Sequence, residues 1–168
     1  MRFEKVDFNA FLKDVTKQFP HRNEASTLYA WENIKLPQRQ TKYSAGYDIC
    51  TPIGVTIPPM ERRIIPTGIK VVFNEQEMNT WHLQMYVRSS VGIKQGVILT
   101  NGTGIVDPDY QFSDNDGDMM LALMNTSPNV VKYNAGDRIC QAVFCIHGLA
   151  EDDKADKART GGVGSTGR

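Results

Sequence analysis

Cysteine is scarce in this chain. The three thiols among 168 residues, Cys50, Cys140 and Cys145, are odd in number and never form a Cys-x-x-Cys pair. That spacing excludes a disulfide framework and a zinc-ligand pattern, so the expectation is reduced, partly buried thiols in a cytoplasmic protein. Long apolar runs are also missing. None approaches membrane-spanning length, and Met1-Arg2-Phe3-Glu4-Lys5 lacks the apolar stretch of a signal peptide. The chain therefore reads as soluble and intracellular, with no membrane partner. Charge of one sign is not in excess either. Lys+Arg and Asp+Glu stand at 19 each, so no global field draws the chain to nucleic acid and any anion must be held locally. His21, His82 and His147 stand apart in sequence and fit neither a Ser/His/Asp order nor a metal spacing. No internal repeat is present.

The length suits one domain with a usable core and extensions at its ends. Residues 7–19 predict a short helix: Phe8, Phe11, Leu12 and Val15 recur at helical spacing, Asp7 caps the start, and Pro20 ends it. Its apolar stripe is expected to pack onto its own domain. Residues 21–26 read as a polar linker. From Trp31 onward, short strands separated by turn residues replace the helical period. The clearest is 80–88, where Trp81, Leu83, Met85 and Val87 alternate with His82, Gln84, Tyr86 and Arg88. One face is core and the other, with Arg88, is wet. Apolar runs at 118–124 and 139–146 predict strands buried on both faces or against another subunit, with Met119, Met120 and Met124 as filling. Prolines at 52, 58, 59, 66, 108 and 128 argue against long helices. The fold class is all-β, a sandwich or barrel. After Ala150 the chain turns charged and then glycine-rich. These last 18 residues cannot bury a core, yet fully extended they span up to roughly 60 Å, enough to reach a neighbouring subunit. The expected organisation is a helical extension (1–30), a β core (31–150) and a C-terminal arm (151–168).

Chemistry concentrates between Arg88 and Tyr110. Arg88-Ser89-Ser90 sets a cation beside two hydroxyls, a group suited to phosphate oxygens. Asn101-Gly102-Thr103-Gly104 reads as a hairpin tip whose glycines let backbone groups approach a flat ligand. Asp107 follows the short apolar run Ile105-Val106, which holds its carboxylate on a rigid element, and an Asp-Pro-Asp-Tyr turn closes the stretch. Clamp, backbone reader and base are thus expected within one hairpin, and the combination suggests a nucleotide enzyme. The tail adds a second phosphate pattern, with glycines freeing successive N–H groups, hydroxyls at Ser165 and Thr166, and a cation at Arg159. It is not a Walker loop, because no Lys follows the glycines. Most Gly/Ser endings are frayed termini, and this one gains weight only beside Arg88-Ser89-Ser90. A triphosphate with about four negative charges calls for Mg²⁺, held by carboxylates and water, and for a base to activate water. Asp107 and Asp48 suit those tasks. Asp114-Asn115-Asp116-Gly117-Asp118 looks like a calcium loop, but its Gly is fourth and not sixth, and its twelfth residue is Asn125. It reads as a solvated turn.

Five blocks in order carry a resemblance: Ala45-Gly46-Tyr47-Asp48, Arg88-Ser89-Ser90 with Lys94, Gly104-Ile105-Val106-Asp107-Pro108-Asp109-Tyr110 preceded by Asn101, Gly136-Asp137-Arg138-Ile139-Cys140-Gln141, and Gly161-Gly162-Val163-Gly164-Ser165-Thr166-Gly167. In these the chain resembles the trimeric dUTP diphosphatases. The resemblance implies a jelly-roll-type β-barrel closing into a homotrimer, with active sites at the subunit boundaries. It implies hydrolysis of dUTP to dUMP and pyrophosphate with Mg²⁺, limiting uracil incorporation into DNA and supplying dUMP for dTTP synthesis. By this similarity Asp107 is the base that activates water for attack on the α-phosphorus. Arg88, Ser89, Ser90 and Gln141 hold phosphate oxygens, and Asp48 serves the metal through water. The turn around Asn101 and Gly104 reads uracil, Tyr110 packs under the deoxyribose, and Ile105, Val106 and Met120 line the pocket. Arg159, Val163, Gly164 and Ser165 belong to the tail that closes over a neighbour's site.

The chain departs from the family pattern in four places. Val163 stands where the family usually has a phenylalanine over the base, a stacking contact worth about 1–3 kcal/mol. Arg159 lies one residue closer to that position than is common. Val87 replaces a usual proline before Arg88. Residues 112–116 look like an insertion, and the N-terminal helix lies outside the family core. Two other readings compete. A dCTP deaminase or bifunctional relative calls for a glutamate near the base, where this chain has Asp107. A non-catalytic, nucleotide-binding regulatory trimer is motivated by Val163 and opposed by Asp107, Arg88 and Tyr110.

Overall fold

The computed structural model describes residues 1–159 and 161. The chain opens with a strand that the sequence did not announce, β1 (Arg2–Lys5), paired antiparallel with β5 (Ile69–Val72). Helix α1 (Phe8–Gln18) follows, its first turn capped by the Asp7 carboxylate, which accepts from Asn9 N at 2.8 Å. The predicted stripe faces inward: Phe11 and Val15 are fully buried, and the helix packs on β4 (Arg62–Pro66). The expected linker is overturned. Its second half starts α2 (Glu24–Glu32), where Asn23 accepts from Ser26 N. Trp31, expected among strands, lies in this helix and donates through Nε1 to Val6 O at 2.9 Å. Only Thr27 and Ala30 of α2 are buried, too narrow a stripe to show as a period.

The β core comprises β2 (Tyr47–Cys50), β3 (Val55–Ile57), β4, β5, β6 (Trp81–Val87), β7 (Val97–Leu99), β8 (Gly104–Val106), β9 (Met120–Asn125), β10 (Val131–Tyr133) and β11 (Arg138–Ile146), with a short helix α3 (Glu75–Met78) before β6. Among the described residues the larger sheets run β2-β11-β6-β8 and β4-β9-β7, and β3 pairs with β10. Their inner faces share a core containing Ile49, Ile65, Leu83, Leu121, Leu123 and Ile139, all fully buried. β6 alternates as its sequence predicts, with Leu83 and Met85 inward. β9 does not bury both faces: Leu121, Leu123 and Asn125 point in, while Met120, Ala122 and Met124 remain half-covered in the single chain. All three cysteines are free, and burial pushes the Cys140 thiol up to about 12.

The look-alike calcium loop is a turn, but it is not solvated throughout. Asp118 is fully buried and accepts at Oδ1 from Gly68 N (2.8 Å), Thr67 N (3.1 Å) and Thr67 Oγ1 (3.2 Å). Its Oδ2 has no hydrogen-bond partner among the described residues. Burial, reinforced by the charge of Asp14, raises its pKa to about 8, so at neutral pH the carboxyl is largely protonated. Among the described residues no group of three or more His, Cys, Asp or Glu is placed to hold a metal, and no helix is long and apolar enough to cross a membrane.

Candidate active site

One half of the site is built where β2, β11 and the end of β6 lie side by side. Strand register puts Gln141 opposite both Asp48 and Tyr86. Asp48, its side chain only 10% exposed, receives Arg88 Nε on Oδ1 and Arg138 Nη1 on Oδ2, both at 3.1 Å. Its oxygens are therefore engaged by two guanidinium groups, and the carboxylate fixes the orientation of Arg88. Arg88 N also donates to Ile139 O at 3.1 Å, keeping the residue on the ladder before the chain turns through Ser90–Lys94. Ser89 and Ser90 are exposed there. Gly46 has a packing reason: a Cβ on it would lie 2.5 Å from Gln141 Oε1. The result is an open cavity of about 200 Å³ whose walls include Gly46, Asp48, Arg88, Ser89, Ser90 and Gln141. Three of the five sequence blocks converge on it. Gln40 and Ser44 also line it, from a loop without sequence pattern, and Arg138 contributes through Asp48.

The other half sits beyond β8. Asp107 precedes the turn Pro108–Phe112, its side chain about half exposed. Tyr110 is buried, its OH donating to Asp118 O at 3.0 Å, and burial lifts its pKa to about 12. Arg159 bridges the two carboxylates, Nη2 on Asp107 and Nε on Asp109 at 2.8 Å, with its guanidinium 5.7 Å from the Tyr110 ring centroid. Ile105 is exposed, whereas Val106 is 3% exposed and faces the core, so its side chain is not on the surface that carries Asp107. The expected hairpin is a corner. β7 pairs with β9 and β8 with β6, so residues 100–103, including exposed Asn101, cross from one sheet to the other. Gly104 lies against Met85, whose Cβ would be 3.2 Å from an added Cβ, and Gly102 takes φ +72° with open space around it. Met120 opens β9 beside Pro66, in the other sheet from β8.

The two halves do not meet within one chain. Val106 pairs with Leu83, which puts Asp107 level with His82, while Arg88 lies six residues further along the same strand. At about 3.4 Å per residue the separation is roughly 20 Å. Clamp and base therefore do not share one hairpin tip as the sequence suggested, because register places them at opposite ends of β6. The same register brings together two histidines that are distant in sequence. The His82 and His147 rings lie 5.3 Å apart between centroids, and their buried Nδ1 atoms have no hydrogen-bond partner among the described residues. Burial, then His147, lowers the His82 pKa.

The family model described as dUTPase matches residues 32–167. The chain belongs to the dUTPase family. A deoxyuridine 5'-triphosphate nucleotidohydrolase of Lactococcus lactis is 39% identical over 147 residues, covering 86% of this chain and 95% of the relative. One from Wolinella succinogenes is 33% identical, covering 81% and 89%. Among solved structures, the dUTPase of Streptococcus mutans superposes with a TM-score of 0.66 at 27% identity, covering 91% of this chain and all of the other. A mutant dUTPase from phage phi11 of S. aureus, described as revealing the coordination of a structural Mg(II) ion, shares the fold at 22% identity with a TM-score of 0.61, covering 75% and 92%. This dUTPase thus has the jelly-roll-type barrel of its family and is a dUTP-hydrolysing enzyme. Its β1, α1 and most of α2 precede the matched region. Val163, Gly164 and Ser165 lie outside the described residues.

Proposed function

We propose that this dUTPase cleaves dUTP to dUMP and pyrophosphate as a homotrimer, with the clamp of one protomer facing the Asp107 end of the next. The observation that carries this is the roughly 20 Å between the two halves along β6. A base must lie within hydrogen-bond reach of the water it activates, so Arg88 and Asp107 of one chain cannot serve one α-phosphorus. A second chain supplies the missing half.

In this reading Asp107 takes a proton from water as the water attacks the α-phosphorus in line, and the pyrophosphate leaves. Arg88, Ser89, Ser90 and Gln141 hold phosphate oxygens, so most of the catalysis is positioning and charge neutralisation. The backbone around Asn101 and Gly104 reads uracil, exposed Ile105 flanks it, and Tyr110 underlies the deoxyribose. Arg159, which rests on Asp107 and Asp109 here, exchanges these carboxylates for phosphate oxygens when substrate arrives. Mg²⁺ neutralises the triphosphate when bound. The described residues offer it no all-protein cage, and Asp48, committed to two arginines, fits only an ion that keeps its waters and travels with the phosphates. The cellular role is to keep uracil out of DNA and to provide dUMP.

Steady-state assays with dUTP, dCTP, dTTP and UTP in the presence of Mg²⁺ test the reading. Pyrophosphate from dUTP alone is expected, and ammonia from dCTP or binding without turnover would overturn it. Asp107→Asn should lower kcat by at least about 10²-fold, the scale of a lost general base, with dUTP affinity kept. Near-normal turnover would remove Asp107 as the base.

A further inference from the structure

We propose that Asn115 and Asp14 position Tyr110 and thereby set how strictly the enzyme rejects a ribonucleotide. The inference rests on the reading that the Tyr110 ring underlies the sugar. The phenol is held at its far end by a small polar network. Tyr110 OH donates to Asp118 O at 3.0 Å and accepts from Asn115 Nδ2 at 3.2 Å. The same amide nitrogen reaches Asp118 O at 3.2 Å and Asp14 Oδ2 at 3.3 Å, so two amide hydrogens are shared among three oxygens. Ser113 Oγ lies 2.7 Å from both Tyr110 O and Asn115 Oδ1, fixing the amide from its other side.

Asn115 belongs to the stretch that departs from the family pattern, and Asp14 to a helix that precedes the matched residues. The segment is held on its other side too. Asp116 Oδ2 accepts from Asp7 N and Oδ1 from Lys70 Nζ, both at 2.7 Å. Asp14 is itself buried, although a carboxylate there is penalised by desolvation. Insertion and helix together therefore act as a bracket that grips Tyr110 at its hydroxyl, through Asn115, and at its backbone carbonyl, through Ser113. Distinguishing 2′-H from 2′-OH is a matter of close contact. A site rejects an extra group only as well as its wall is fixed, and a ring released at its hydroxyl can yield.

The test is kcat and KM for dUTP and for UTP, with the full chain and Mg²⁺. Asn115→Ala and Tyr110→Phe should each reduce the dUTP/UTP ratio of kcat/KM about five- to tenfold, the factor of one ordinary hydrogen bond. In Asn115→Ala the loss should appear as a raised KM for dUTP and gained UTP turnover, with kcat for dUTP nearly kept. Combining the two should add nothing. Asp14→Asn, whose amide oxygen still accepts, should preserve the ratio, while Asp14→Ala should lower it. If Asn115→Ala does not fold, Tyr110→Phe and Asp14→Ala read the same link. A uniform fall in kcat for both nucleotides with the ratio unchanged would assign the network to folding alone and overturn the proposal. Tyr110→Ala separates the layers: if it too leaves the ratio unchanged, the sugar-floor reading itself fails.

Discussion

Asp118→Asn should remove a pH dependence that the native chain carries in its stability. In the folded protein this fully buried carboxyl titrates at about 8, whereas an unfolded Asp titrates near 3.9. Between those values the folded chain keeps a proton that the unfolded chain has released. The group's contribution is therefore complete below the unfolded pKa and is lost as pH rises through the folded one, at about 1.4 kcal/mol per pH unit. From pH 5 to pH 7 the loss amounts to about 2–3 kcal/mol. Asparagine keeps an oxygen for Thr67 and Gly68 and does not titrate, so its stability relative to the native chain should grow by that amount over the same interval. For a chain of this size that is roughly 5–10 °C in unfolding midpoint. His82, whose lowered pKa works in the opposite direction, is present in both proteins and cancels in the difference. The measurement is thermal or denaturant unfolding of both proteins from pH 5 to pH 8.5 at one fixed protein concentration, since an oligomer's midpoint moves with concentration. Parallel curves would mean that Asp118 is ionised when folded, and the burial argument would be refuted.

Gly46→Ala should raise KM for dUTP severalfold while shifting the unfolding midpoint little. The new methyl meets the end of Gln141 at 2.5 Å, and a flexible side chain swings away more cheaply than a backbone moves. An unchanged KM would mean that Gln141 does not hold phosphate. Co-refolding Arg88→Ala with Asp107→Asn, each inactive alone, should restore turnover at about one site in four, because a neighbour pairs an intact clamp with an intact base. Failure of mixed oligomers to regain activity would place both groups in one protomer's site.

Legibility followed the range of the interactions. α1 and β6 could be read because their periods are local, and the order of Asp48, Arg88, Asp107 and Gln141 survived as motifs. α2 hid because only Thr27 and Ala30 of it are buried, and β1 because Arg2, Glu4 and Lys5 surround its single aromatic, Phe3. Val106 was expected to line the pocket with Ile105, yet neighbours in a strand point to opposite faces, so only one of them could. Asp118 looked solvated because nothing within its own segment shows that Thr67 and Gly68 are waiting for it. The distance between clamp and base depends on the pairing of β6 with β8 and β11, and register of that kind is set by the whole barrel.

Stretching the machinery along a whole strand also has a genetic consequence. If the sites are shared between subunits as proposed, a damaged chain harms the sites of its healthy sisters and not merely its own. Two recessive lesions at opposite ends of β6, inherited on different alleles, should rescue each other. The same two lesions on one allele should poison more of the pool than either does singly. Cis and trans arrangements of the same two lesions would then each leave about one site in four intact, so the usual cis–trans difference would vanish.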